Sequence, residues 1–135
     1  MATIEQIKAL KIDENVFELA EDTRLEYLVH FAAPFTGAGR CVIPKGTVFA
    51  AHGPMRDDAL YLNFVDGDRE ALLARMKAQV KIKYKDVFPR LQGFSFFITD
   101  VQIKKLPLRF RNGSVERLLE ILRQLNLLRL GLRAW

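Results

Sequence analysis

Apolar and polar residues alternate most regularly in the first half of the chain. In the stretch RLEYLVHFAA, Leu25, Tyr27 and Val29 fall on one side of an extended chain, and Glu26 and His30 fall on the other. Three more apolar runs follow, each after a turn sequence. The pattern predicts an antiparallel meander that curls into a small barrel or half-barrel, with strands at residues 25–33, 39–43, 47–52 and 58–65.

Glycine and proline positions predict the turns of this meander. In CVIPKGTVF, Pro44 fixes φ at the first corner of a three-residue hairpin connection, and Gly46 supplies its left-handed residue. Gly37 and Gly39 form another loop signature upstream. We therefore interpret these glycines as turn residues and not as parts of a chemical site.

Helical spacing occurs near the N-terminus and in the middle of the chain. Thr3 and Gln6 have the spacing of a capping box, which predicts a first short helix. A second short helix is predicted near Asp13, with Val16, Phe17 and Ala20 as its buried residues. A third helix is predicted at residues 69–80, after the N-cap candidate Asp68.

The second half of the chain holds two β-rich stretches and one long helix. Residues 80–88 alternate strictly and fit either a strand or a continued helix, whereas GFSFFITDVQIKKL predicts one long strand through the sheet centre. After Asn112-Gly113, Ser114 is the expected N-cap of a terminal helix. Its apolar stripe consists of Val115, Leu118, Leu119, Leu122 and Leu125.

The terminal helix contains more leucine than one buried stripe requires. Leu127 and Leu130 lie outside the main stripe. Either they pack on the protein's own sheet or they bury against another chain, because exposed leucine clusters favour association. We take Leu127 and Leu130 as candidates for an oligomer interface.

Together these elements predict one α+β domain over residues 1–135. Its parts are a helical lead-in at 1–23, a β-rich core with one inserted helix at 24–111, and a Leu-rich helix at 114–131. We expect a small curved antiparallel sheet or partly open β-barrel of about five strands.

Composition is that of a globular protein with a sizeable core. Half of the 135 residues are hydrophobic, and no apolar run reaches the ~18 residues that a membrane-spanning helix needs. The N-terminus lacks the basic flank and apolar block of a signal peptide. A single cysteine, Cys41, cannot form an internal disulfide. These features predict a soluble cytoplasmic protein without a membrane span.

Charge is distributed unevenly along the chain. Residues 1–31 hold three bases and seven acids, for a net charge of −4, whereas residues 75–111 hold ten bases and two acids, for +8. Such a basic segment is typical of a surface for phosphate or acidic partners, although it can also pair with the acidic N-terminal region. The candidate anion- or nucleic-acid-binding residues are Lys81, Lys83, Lys85, Arg90, Lys104, Lys105, Arg109 and Arg111. If exposed, the rings of Tyr84, Phe88, Phe94, Phe96 and Phe97 would offer stacking surfaces for bases.

Motifs for nucleotide binding and serine hydrolysis are absent from the sequence. His30, Cys41 and His52 are weak candidates for a metal site, completed by Asp57 or Asp58, or for a thiolate and base pair. No C-x-x-C or H-x-x-x-H spacing supports either, so a small buried cysteine and two partly exposed histidines are the simpler interpretation.

The sequence therefore favours a non-enzymatic interaction module that acts in an oligomer or complex and needs no cofactor. Nucleic-acid binding through the basic segment is the alternative. A small metal- or thiol-dependent enzyme is the second alternative.

Overall fold

This computed structural model describes residues 4–31, 36–79 and 91–133, and over these ranges the chain forms four α-helices, one 3₁₀ turn and seven strands. The helices are α1 (Ile4–Lys8), α2 (Arg69–Gln79), α3 (Asp100–Lys105) and α4 (Val115–Arg133), and the 3₁₀ turn is Ile12–Glu14. The strands are β1 (Val16–Leu19), β2 (Thr23–His30), β3 (Thr36–Ile43), β4 (Val48–Arg56), β5 (Ala59–Asp66), β6 (Gly93–Thr99) and β7 (Leu108–Asn112).

The strands form one antiparallel sheet in the order β3-β2-β6-β5-β4-β1-β7. The α+β class and the antiparallel sheet are confirmed. The sheet is not closed, and β3 and β7 are its edges. It has seven strands where about five were predicted, because β1 and β7 were missed.

A short connection requires the sheet to curve. Ile43 ends β3 and Val48 begins β4, although these strands are four positions apart in the sheet. In a flat sheet that separation is about 19 Å, whereas five residue steps reach at most about 18 Å when fully extended. A turn in the connection, in which Thr47 N–H donates to the Pro44 carbonyl at 3.2 Å, shortens the reach further. The two strands must therefore approach each other at this end.

The predicted hairpin at this turn is wrong, although its turn chemistry is right. Gly46 has the expected left-handed conformation, with φ of 88°. However, β3 pairs with β2, and β4 pairs with β5 and β1. Turn residues determine only the local reversal, whereas the pairing of each strand depends on contacts distant in sequence.

The predicted helix near Asp13 is also wrong. Asp13 lies in the 3₁₀ turn, and Val16, Phe17 and Leu19 belong to strand β1. Phe17 and Leu19 are fully buried, as a two-residue period requires, and the Phe17 ring packs against Phe110 at 5.5 Å between centroids. The predicted helical lead-in at 1–23 thus contains a strand of the sheet.

The predicted long strand after residue 93 ends at Thr99. Its hydroxyl accepts from Gln102 N–H at 3.2 Å, and the Gln102 side chain accepts from Thr99 N–H at 3.0 Å, which is a capping box that starts α3. Ile103 is consequently buried from a helix and not from a strand. β6 itself lies inside the sheet, between β2 and β5.

Gly37 was predicted in a loop, and Gly39 at the end of that loop where the strand predicted at 39–43 begins, but both lie inside strand β3. Gly39 is paired with Tyr27, and a Cβ atom at residue 39 would lie 2.7 Å from the Tyr27 hydroxyl oxygen. That hydroxyl donates to the Met76 carbonyl of α2 at 3.3 Å. Gly39 therefore provides the space in which Tyr27 connects the sheet to α2, the helix predicted at residues 69–80.

The terminal helix is confirmed. Ser114 caps it, since its hydroxyl accepts from Arg117 N–H at 3.0 Å. Four of its side chains enter the one hydrophobic cluster that also includes Ile12 and the sheet: Leu118, Ile121, Leu122 and Leu125. None of the helices in the described ranges is long and apolar enough to span a bilayer.

Replacing Gly39 with alanine should destabilise the protein by about 1–3 kcal/mol, because the new methyl group overpacks Tyr27. Urea unfolding measures this change. Gly53→Ala is the matched control, since Gly53 also lies in a strand but a Cβ there meets nothing within 4 Å. Equal effects of the two substitutions would contradict the packing role of Gly39.

Candidate functional site

The structure does not bring His30, Cys41 and His52 together. Cys41 is 1% exposed on β3, opposite Leu25, whereas His30 is exposed at the end of β2, about 17 Å further along that strand. His52 is exposed on β4, three positions from β2 in the sheet, and lines a cavity of about 270 Å³ with Asp13. Within residues 4–31, 36–79 and 91–133, no three His, Cys, Asp or Glu side chains are grouped so that they could hold a metal ion.

The Cys41 thiol has low reactivity in this fold. Burial raises the pKa of Cys41 to about 11, although the charges of Arg75 and Arg24 act in the opposite direction. The thiol is therefore protonated at neutral pH, and a protonated thiol is neither a good nucleophile nor a good zinc ligand.

The basic segment is described only in part. Lys81, Lys83, Lys85 and Arg90 lie outside the described residues. Lys104 and Lys105 are exposed on α3, and Arg109 and Arg111 are exposed on the edge strand β7. In the part of the chain that the structure describes, none of these four side chains has a hydrogen bond or an ion pair, so their charges face solvent.

Most other arginines bind within the protein. Arg40 and Arg56 pair with Glu26 and Asp58, and Arg75 donates to the Val42 carbonyl. Further along, Arg117 and Arg123 bond to the Leu10 carbonyl and to Glu120. Residues 104–111 thus hold four exposed cations close together in sequence whose side chains are available to a partner.

The aromatic rings of β6 do not form an exposed stacking surface. Phe96 and Phe97 are 0% and 5% exposed, and the Phe94 ring packs edge-on against Phe96 at 5.9 Å between centroids. Arg69 covers Phe94 from 5.5 Å. The condition of exposure, on which base stacking depended, is therefore not met by these three rings, because neighbouring side chains cover them. Tyr84 and Phe88 lie outside the described residues.

Of the two interface candidates on α4, Leu127 is 50% exposed. It lies about 180° around the helix from the buried Leu118, so the core does not cover it. The side chain of Leu130 lies outside the described part of the structure.

A groove that the sequence did not predict lies between α3, α4 and the turn that joins β4 to β5. Its volume is about 350 Å³. Two hydrogen bonds attach the helices to the turn: Asn126 Nδ2 donates to the Asp57 carbonyl, and Asp100 N–H donates to the Asp58 carbonyl, both at 2.8 Å. The groove is lined by Asp57, Asp100, Lys104, Leu119, Leu122, Arg123 and Asn126.

Charges of both signs surround an apolar floor in this groove. Leu119 and Leu122 form the floor. Arg123 Nε donates to a Glu120 carboxylate oxygen at 2.9 Å, and the hydrogen bonds from Arg123 and Gln124 lower the pKa of Glu120 to about 2. Glu120 is therefore ionised at neutral pH and neutralises Arg123. Lys104 remains the cation of the groove with no ion pair among the described residues.

No direct sign of this groove is present in the sequence, since its two leucines belong to the apolar stripe that was predicted to be buried. The residues that line it come from three elements and span residues 57–126. No local spacing relates Asp57 to Leu119, because folding alone brings them together.

The native Cys41 thiol should not react with a disulfide reagent at about pH 8, where a thiol of ordinary pKa is partly ionised. Its reaction should begin only as the pH approaches 11 or when the protein is unfolded, since burial both hinders access and raises the pKa to about 11. Release of the chromophore from Ellman's reagent measures this, with the urea-unfolded chain as the positive control. Rapid stoichiometric reaction of the folded protein would show that the thiol is accessible.

Comparisons with known proteins assign no family to this chain. No protein-family model matches it, and neither does any curated protein or any solved structure. The proposals that follow therefore depend on the geometry of the chain itself.

Proposed function

We propose that this protein is a non-enzymatic binding module that acts in an oligomer or complex and contacts its protein partner through the groove between α3 and α4. The observation that carries the proposal is the position of two apolar side chains. Val101 on α3 is 51% exposed and Leu127 on α4 is 50% exposed.

Helical geometry puts one of these side chains on each bank of the groove. On α3, Val101 lies about 160° from the buried Ile103, and the groove residues Asp100 and Lys104 lie between them. On α4, Leu127 lies on the side away from the core, beyond the groove residue Asn126. An apolar floor with an apolar residue on each bank and charges around it has the anatomy of a protein interface.

Burial of Val101 and Leu127 alone does not supply enough free energy to hold a complex together. Complete burial of a valine or leucine contributes about 1.5–3 kcal/mol, and about half of Val101 and of Leu127 is already covered. Both residues together add about 2 kcal/mol, whereas association costs at least about 4 kcal/mol. A partner must therefore also use the groove floor and the charges of Asp100 and Lys104.

The positions of the reactive side chains favour binding over catalysis. His30 and His52 are exposed on separate strands, and the Cys41 thiol is buried and protonated. A thiol or metal enzyme needs such groups within contact distance of one another, so this arrangement gives no support to the enzyme alternative.

A photo-activated cross-linking residue at position 127 should capture a partner in the cells that make this protein. The matched control is the same residue at position 65, because Val65 is also 50% exposed but lies on β5 and does not line the groove. We expect a covalent adduct from position 127 and none from position 65. Mass spectrometry identifies the partner, whose affinity is then measured with both proteins purified.

Leu127→Glu should weaken that purified complex by about tenfold or more, since it places a charge in an apolar contact, and Val65→Glu should leave it unchanged. Equal amounts of adduct from both positions would contradict the proposed surface. So would an affinity for the purified partner that Leu127→Glu leaves unchanged.

Nucleic-acid binding is a second candidate function, favoured by the four exposed cations Lys104, Lys105, Arg109 and Arg111. They lie within eight residues of chain on α3 and β7. Glu18 is the cross-strand neighbour of Arg109 and reduces the local positive charge. Because the β6 rings are covered, the described residues support binding through phosphate neutralisation and not through base stacking on β6.

If this alternative holds, affinity for an oligonucleotide should fall steeply between about 50 and 200 mM salt, because each phosphate contact releases counterions. Fluorescence anisotropy with labelled single- and double-stranded DNA measures it. The combined reversal Arg109→Glu and Arg111→Glu should reduce both the affinity and the salt slope, and Arg24→Glu with Lys45→Glu is the control at exposed cations elsewhere. Undetectable binding of both DNAs at low salt would remove nucleic acid as a ligand.

A further inference from the structure

We infer that the partner of the α3–α4 groove is a second copy of this chain, related to the first by a two-fold axis perpendicular to α4. This inference rests on the binding function proposed above and names its partner. It follows from the order of charges along the groove and from the position of Leu127.

The groove has an acidic end and a basic end. Asp57 lies in the β4–β5 turn, and Asp100 contacts the same turn through its backbone N–H. Lys104 lies one helical turn further along α3, away from that contact. The Asp100 carboxylate therefore lies beside the turn, and Lys104, which has no ion pair among the described residues, lies beyond it.

A two-fold rotation perpendicular to the groove exchanges these ends. Asp100 of each copy then faces Lys104 of the other, and both contacts are attractive. An isologous dimer is the arrangement in which one surface must complement itself. A strongly acidic or strongly basic partner would instead meet a like charge at one end of the groove.

The same rotation gives Leu127 an apolar site. Leu127 is the neighbour of Asn126, which binds the β4–β5 turn, so it projects beside the acidic end. In the antiparallel arrangement it reaches the opposite end of the other copy's groove. There Leu119, two helical turns before Asn126, forms part of the floor and is only partly buried. Each copy thus contributes Leu127 to cover the floor of the other.

A charge exchange between Asp100 and Lys104 tests this geometry. The Lys104→Glu variant alone contains two Asp–Glu contacts per dimer, and the Asp100→Lys variant alone contains two Lys–Lys contacts. Each should dimerise about tenfold or more weakly than the wild type, because like charges across an interface repel. When the two variants are mixed, both contacts are attractive again, so dimer formation should recover as heterodimer.

Analytical ultracentrifugation of the full chain up to about 100 μM, a range that detects micromolar dissociation constants, measures each species. The Asp100 carboxylate also accepts a hydrogen bond from Val101 N–H at 2.7 Å, which Asp100→Lys removes. Thermal unfolding of each variant therefore checks that the protein still folds. Lys45→Glu is the control for charge reversal at an exposed lysine outside the groove. If Asp100→Lys fails to fold, Leu127→Glu against Val65→Glu gives the second measurement, with loss of the dimer expected only for Leu127→Glu.

Recovery of the dimer on mixing supports the inference. A wild-type chain that remains monomeric overturns it. A dimer whose dissociation constant is unchanged by both Leu127→Glu and the charge reversals also overturns it. In either case a different protein cross-linked from position 127 would leave the proposed binding function standing, so the two failures are distinguishable.

Discussion

The short connection from Ile43 to Val48 is the constraint on which the rest of the structure depends. It joins an edge strand to a strand four positions away, and four intervening residues allow this only if the sheet curls. Curling directs the large side chains of several strands toward one interior. The Phe49 ring packs there against Phe17 and Phe96, with ring centroids 6.3 and 5.4 Å apart.

A curled and open sheet leaves its interior uncovered unless helices close it. Tyr27 and Gly39 position α2 over the β2–β3 side, and the buried face of α4 adds Leu118 and Leu125 to the same hydrophobic cluster. The short helix α3 starts where β6 ends and lies beside α4. The groove between them is therefore a by-product of how the core is closed, which is why its floor is apolar and its rim is charged.

The packing of this core determines that the Cys41 thiol is buried and which side chains stay exposed. The thiol of Cys41 is buried by the packing of β3, which raises its pKa and removes it from solution chemistry. Five arginines of the described ranges bond to carboxylates or carbonyls, so they connect parts of the surface. The exposed side chains include the cations from Lys104 to Arg111 and, beside the groove, the half-exposed Val101 and Leu127.

The sequence by itself determined the elements whose signals are local: helices α2 and α4 with the Ser114 cap, the left-handed Gly46, and the buried alternation of β2. It could not determine why residue 39 must be a glycine, because the reason is the ring of Tyr27, twelve residues away, which approaches it. Nor could it show that β3 avoids β4 or that Asp57, Asp100 and Leu119 share one groove. Hydrophobic period and turn chemistry act over a few residues, whereas strand pairing and pocket formation depend on which distant surfaces bury each other, and only the tertiary structure decides that.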